Sequence, residues 1–346
     1  MTARRVVVCE VQVPFVRGGA EALVRELVRQ LRARGHTVDR VALPFKWYPK
    51  DEILTHAAAW RLLDLSSSNG QPIDAVIATK FPSYFVRHPA KVTWLIHQYR
   101  AAYELCGTAY SDFTHTEIDV GLRDRLITLD REMLGESRQL FTISRLTSAR
   151  LEKYNGIAAE PLYHPSRLAP RLHPGPSGGY LLSVGRIESI KRVDLAIRAM
   201  RHVDPPLRLI VVGEGTQLEM MRRLVEELDL TDRVEFAGAV SDDQLVELYA
   251  GAEAVVYVPY DEDYGYVTLE SFLARKPLVT TRDSGGPLEF VEDGVTGLVT
   301  EPTPEALADA VNRLHANRLL AASLCEAAYE RARGVTWDGV IEKLLA

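Results

Sequence analysis

Short apolar runs rich in β-branched residues alternate with longer stretches of helical period along the chain, and that alternation leaves few folds open. Strands covered on both faces read as unbroken apolar runs, and parallel strands joined by helices are covered in this way. The pattern comes in two series. The first predicts strands over 4–9, 37–43, 74–79, 91–96 and 139–143. A helix at about 20–34 places Leu23, Leu27 and Leu31 on one face and Arg25, Arg29 and Arg32 on another, and Gly35 ends it. A second, basic helix at about 144–154 carries Arg145, Arg150 and Lys153. The later series is more regular, with strands over 180–184, 207–212, 233–238, 254–258 and 277–281. Between them HPSRLAPRLHPGPSGG (164–179) holds four prolines and three glycines without periodicity, which predicts an interdomain linker. The expected architecture is α/β, two Rossmann-like doubly wound parallel sheets followed by a last helix around 320–345.

At 346 residues the chain suits two domains, and 47% apolar with 25% charged residues excludes fibrous and disordered classes. Cys9, Cys106 and Cys325 are too few and too scattered for a disulfide framework or a zinc site, which fits a reducing compartment. The net charge of −6 argues against nucleic acid as a partner. It is unevenly spread. Residues 1–165 hold 22 basic and 18 acidic side chains, or +4, and the remaining 19 and 29 give −10. No apolar run reaches the roughly 20 residues of a membrane span, and VVVCEVQVPF shows no signal-peptide cleavage pattern. A cytoplasmic location is expected, with the basic helix leaving open a peripheral contact at the inner face of the membrane.

In open α/β sheets ligands bind beyond the carboxyl ends of the strands, so residues there are the first candidates. After the first strand, Gly18-Gly19-Ala20-Glu21 allows close approach of a ligand to a helix N-terminus, or simply makes a tight turn. His97-Gln98-Tyr99-Arg100 and Lys80 follow two further strands, where they either face a ligand or are packed or surface side chains without a role. After YLLSV, Gly185-Arg186 and Lys191-Arg192 bring cations to a helix N-terminus, where they oppose the dipole unless an anion sits among them. The segment VVGEGTQL (211–218) offers Gly213 and Gly215 but has Leu218 where a dinucleotide fingerprint needs a third glycine, which disfavours hydride transfer. Ser241 and Gln244 form a capping box, so Asp242 and Asp243 need no catalytic role.

PYDEDYGYVTLESF (259–272) is the most informative stretch. Gly265 sits in a loop, and helix resumes near Tyr266 or Val267. The amides of Tyr266 and Val267 suit a phosphate, while Glu262 and Glu270 suit hydroxyl groups on either side. Otherwise Glu270 complements the dipole and Glu262 is solvated. Asp261-Glu262-Asp263 spells D-x-D, a metal pattern, but no further ligand is identifiable and Arg186 with Lys191 could neutralise a diphosphate.

In order and spacing, GGAEALVRELVRQLRARGHTV (18–38), SVGRIESIKRVDLAIRAM (183–200), VVGEGTQLEMMRRL (211–224) and EDYGYVTLESFLARKPLVTT (262–281) resemble glycosyltransferase family 4, the retaining GT-B enzymes. DSGGPLEFVEDGVTGLV (283–299) resembles the segment that follows. The resemblance implies two Rossmann-like domains facing across a cleft: an acceptor-binding domain over 1–165, a linker over 166–179, and a nucleotide-sugar-binding domain over 180–319. It further implies a C-terminal helix over 320–346 that crosses back to the first domain. Gly18 and Gly19 would cover a diphosphate, Arg186 and Lys191 would hold it and stabilise the leaving nucleotide, Glu262 would bind the sugar hydroxyls and Glu270 the ribose. His97 would lie beside the donor sugar. The implied reaction is retaining hexosyl transfer from a UDP- or GDP-sugar to a hydroxyl acceptor, with no cofactor and no metal. An epimerase or phosphorylase of the same fold and a non-catalytic sugar-nucleotide binder are the alternatives. Gln98 stands where an acid is common, PLYHPSR (161–167) departs from the usual linker motif, and the loosely matched first domain leaves the acceptor open.

Overall fold

The computed structural model describes residues 3–16 and 18–346, which form two compact units, one of residues 1–164 with 336–346 and one of residues 165–335. The first unit opens with β1 (Arg5–Gln12), α1 (Gly19–Ala33), β2 (Thr37–Pro44) and α2 (Glu52–Arg61), then a small hairpin of β3 (Ser67–Ser68) and β4 (Gln71–Pro72). It continues with β5 (Ala75–Ala78), β6 (Lys91–Leu95), α3 (Glu117–Gly135), β7 (Gln139–Thr142), α4 (Arg145–Asn155) and β8 (Glu160–Pro161). Six parallel strands lie in the order β2-β1-β5-β6-β7-β8.

The second unit contains β9 (Tyr180–Val184), α5 (Val193–Ala199), β10 (Arg208–Val212), α6 (Leu218–Glu227), β11 (Val234–Gly238), α7 (Asp242–Gly251) and β12 (Ala254–Val256). After these come α8 (Tyr266–Leu273), β13 (Leu278–Thr281), β14 (Leu298–Thr300), α9 (Pro304–Ala316) and α10 (Arg318–Arg333). Its parallel sheet runs β11-β10-β9-β12-β13-β14. Both sheets therefore reverse direction beside their first strand, between β1 and β5 and between β9 and β12, and such switch points open the crevices that bind ligands.

Leu23, Leu27 and Leu31 of α1 are buried as their period requires, and Gly35 follows the helix at φ 86°. Ser241 caps α7 reciprocally with Gln244, as its spacing predicts. Three features differ from expectation. The helices α2 and α3 and the strand β14 lie where the apolar pattern marks no element. The terminal stretch 320–346 is two helices: α10 stays in the second unit, where the Arg331 guanidinium donates to the Phe290 carbonyl at 2.9 Å, and only α11 (Trp337–Leu344) joins the first. Segment 164–179 begins at the boundary between the two units; it is buried at Ser166 and Leu168, Arg167 pairs with Asp242, and most of 170–179 is exposed. Arg150 turns into the first unit, buried and 3.3 Å from Glu104, so it cannot belong to a basic face on α4.

One cation organises the strand ends of the second unit. Arg192 takes the left-handed conformation (φ 50°) before α5 and donates to the Val258 and Pro259 carbonyls at 2.8 Å each. It also donates to Thr281 Oγ1 at 2.8 Å and to both oxygens of Asp283 at 2.7 Å. The chain leaving β12 is thereby tied to the chain leaving β13. Arg192→Met removes these bonds and leaves Asp283, which is partly exposed, without its cation. A loss of about 2–4 kcal/mol is expected, read as a lower urea midpoint at unchanged m-value.

Candidate functional site

At the carboxyl ends of the second sheet, three loops converge by backbone contact. The loop after β9 lies against the loop after β10: a Cβ on Gly213 would stand 2.0 Å from the Gly185 carbonyl, and one on Gly215 would stand 2.2 Å from that of Ile187. These two glycines serve loop packing. The loop after β12 lies against Gly285 and Gly286, where added Cβ atoms would stand 2.7 and 2.6 Å from the Glu262 and Asp263 carbonyls. Tyr260 N–H donates to the Ile190 carbonyl at 2.8 Å, joining the loops after β9 and β12.

Within this cluster the Lys191 ammonium donates to the Glu262 carboxylate, and both side chains are largely buried. Arg186 leaves the same strand end as an exposed side chain and makes no ion pair among the described residues. Gly265, at φ 81°, starts α8 from a left-handed turn, so Tyr266 and Val267 are the first residues of the helix and their N–H groups lack intrahelical acceptors. Any side chain at Gly265 would meet Pro287 at 2.9 Å. Glu270, one turn on, is buried; it accepts from Ser166 Oγ on one oxygen and from the Tyr249 hydroxyl at 2.8 Å on the other. Burial raises its carboxyl above the ordinary range against these two donors and Arg167. Tyr257 lies beside both acids: burial pushes its phenol far up, and the charges of Glu262 and Glu270 push it further. Lys191, Glu262, Glu270 and the start of α8 thus share one region. Among the described residues no group of three or more His, Cys, Asp or Glu side chains converges as a metal site.

In the first unit Gly18 and Gly19 precede and begin α1, and the Gly18 N–H donates to Glu21 Oε2 at 2.8 Å. The other Glu21 oxygen holds the Lys80 ammonium at 2.7 Å, which joins the ends of β1 and β5. Burial alone would raise the Glu21 carboxyl, but Lys80 and backbone N–H groups hold it below its ordinary value. His97 Nδ1 lies 2.6 Å from the Gln98 carbonyl, and since a carbonyl only accepts, Nδ1 carries a hydrogen. Lys80 and His97 both line a cavity of about 510 Å³.

Several supporting residues carry no sequence signal. Gln98 Nε2 donates to Asn155 Oδ1 at 2.8 Å, Asn155 Nδ2 reaches the Tyr103 hydroxyl at 3.5 Å, and that hydroxyl donates to Asp130 at 2.6 Å. This buried line fixes the residue next to His97. Tyr249, Tyr257 and Ser166 play comparable parts in the second unit, and each reads locally as ordinary strand, helix or loop sequence. Arg192 stands out in sequence only as a cation at a helix N-terminus, not as the tie between two loops.

Residues 174–333 match the model of the family Glycosyl transferases group 1. The chain is 27% identical over 380 aligned residues to D-inositol 3-phosphate glycosyltransferase of Acidothermus cellulolyticus, covering 95% of this chain and 84% of that protein. To the protein of that name from Mycobacterium leprae it is 33% identical over 224 residues, 61% of this chain and 51% of the relative. Among solved structures, sucrose-phosphate synthase from Thermosynechococcus elongatus matches with a TM-score of 0.74 at 19% identity, over 98% of this chain and 97% of the other. HepE of Anabaena, in complex with UDP and glucose, matches with a TM-score of 0.70 at 15% identity, over 98% of each chain. Likeness at these identities shows the fold, two doubly wound parallel-sheet domains of the GT-B type.

Asp130 supplies a pH test. Burial raises its carboxyl to about 7 against the hydrogen bond from Tyr103. An acid whose pKa rises on folding favours the protonated native state, so its contribution is complete below the unfolded value near 4 and is lost as pH rises through about 7. Asp130→Asn keeps an acceptor for Tyr103 and removes the proton. Urea midpoints of the wild type should fall relative to those of the variant between pH 4 and 7, with a constant difference above.

Proposed function

The chain belongs to the glycosyl transferases group 1 family through its C-terminal unit, and from that premise we propose that it is a retaining, metal-independent hexosyltransferase. It moves a hexosyl group from a nucleoside-diphosphate sugar, UDP- or GDP-linked, to a hydroxyl acceptor. The observation that carries this reading is the contact of Lys191 with Glu262 beside the start of α8, at the switch point between β9 and β12. A cation, a carboxylate and helix-end amides within one loop cluster match the parts of a sugar diphosphate.

In the proposed site Lys191, Arg186 and the Tyr266 and Val267 amides take the diphosphate, and Glu262 and Glu270 accept from sugar and ribose hydroxyls. Fixed cations and amides stabilise charge as it accumulates on the leaving diphosphate, while the anomeric carbon becomes cationic. The bond from that carbon to the diphosphate oxygen breaks, a bond to the acceptor oxygen forms on the same face, and the departing phosphate takes the acceptor proton.

Turnover is expected with at least one member of a panel of UDP-, GDP- and ADP-sugars, and the anomeric coupling in the NMR spectrum of the product should match that of the donor. No binding and no turnover across the panel would overturn the proposal. Activity should persist in chelator. Lys191→Ala should stay folded, because Glu262 retains contact with water, and should lose roughly 30- to several thousand-fold in kcat/KM, the effect of about 2–5 kcal/mol from a partly desolvated charge pair.

A further inference from the structure

The cavity of the first unit lies at the carboxyl ends of β1, β2, β5 and β6, and its walls are unlike a site for an anion. Phe45, Trp47, Phe81 and Tyr99 form a connected aromatic wall, with Phe45 edge-on to Phe81 and Tyr99 at 5.8 Å between ring centroids and 6.3 Å from Trp47. Tyr110 completes the lining beside them. Among the described residues, the Lys and Arg side chains that line the cavity already have partners: Lys80 is held by Glu21 at 2.7 Å, and Arg100 by Glu104. Asp112 adds an exposed carboxylate to the lining. A phosphate entering here would have to break an ion pair in largely buried surroundings or meet Asp112, and either is costly. Burial together with Asp112 raises the Tyr99 phenol, so it stays protonated as a hydroxyl donor at neutral pH.

We propose that this cavity binds a neutral aromatic alcohol and presents its hydroxyl group beside His97. The inference rests on the glycosyltransferase reading above and gives that reaction its acceptor class. The volume, about 510 Å³, suits a molecule of two or three fused rings, within the usual range of small-molecule sites. Flat apolar ligands gain from edge and face contacts with such walls. The D-inositol 3-phosphate in the name of the Acidothermus and Mycobacterium relatives is, in contrast, an anion without an apolar face. On transfer the acceptor O–H bond breaks, its oxygen joins the anomeric carbon, and the proton leaves with the diphosphate.

Calorimetric titration of the full chain with 2-naphthol and, separately, with inositol 3-phosphate tests the cavity without any donor. Saturable binding of 2-naphthol with no heat from inositol 3-phosphate is expected, weakened about tenfold by Trp47→Ala. Tyr110→Ala provides a second variant should the first lose its fold by circular dichroism. Failure of 2-naphthol to bind, or binding of inositol 3-phosphate in its place, overturns the proposal. Naphthyl glycoside formed in the presence of a nucleotide sugar supports both readings. Binding of 2-naphthol without turnover of any donor upholds the aromatic site and counts against the transferase reading alone.

Discussion

Everything at the second unit's strand ends depends on the divergent placement of two neighbouring cations. A left-handed conformation at a residue other than glycine costs on the order of 1 kcal/mol, and at Arg192 the guanidinium bonds to two carbonyls, a hydroxyl and a carboxylate offset it. That turn sends Arg192 into the seam between the chains leaving β12 and β13, while Lys191, one residue earlier, meets Glu262. The first cation is structural and holds the loop. The second is left with a single carboxylate in a cluster that also includes the start of α8. A polar site must be held rigidly to act as a preorganised one, and here the residue beside the proposed diphosphate ligand is the clamp.

Most of the sheet framework was legible because parallel strands are apolar on both faces, and β9 to β13 fall within two residues of the runs that mark them. β14 is three residues long and only partly buried, too short to leave such a run. The helices α2 and α3 were not, since the former mixes Ile53, Ala57 and Trp60 with apolar residues on its other sides, and the latter buries Asp119 and Asp130 on the face that a hydrophobic period would fill. The segment after His164 shows what proline and glycine leave unsaid: they report irregular backbone, and nothing in them reveals that Ser166 will donate to Glu270. Arg150 is a similar case: no period reveals that Glu104, supplied by a distant loop, will neutralise it inside the fold.

The candidate residues were legible through their positions after strands, and their partners were not. Lys191 and Glu262 are 71 positions apart, and their contact depends on how the loops after β9 and β12 lie together. Gly213 and Gly215 show the opposite limit. Their spacing suggests a nucleotide fingerprint, yet the clearance they provide is taken up by the backbone of Gly185 and Ile187. A short glycine motif records close approach without saying what approaches.

Net charge follows the same logic. The excess of four positive charges over residues 1–165 suggests attraction for anions, yet a sum over sequence ignores pairing. In the folded unit Lys50 is 2.7 Å from Asp119, Lys80 the same distance from Glu21, and Arg61 2.6 Å from Glu136. Lys91 is buried against two carbonyls, and desolvation lowers its ammonium to about 8. Such groups contribute to the charge count but project little field into solvent, because each is compensated within a few ångströms. What a ligand meets in the cavity beside His97 is aromatic surface with Asp112 among its lining groups. In the second unit the overall balance is −10 over residues 166–346, yet Arg186 is exposed and unpaired among the described residues where a diphosphate is proposed to bind. Local pairing, and not the sign of the domain, decides how much field each unit presents to an anion.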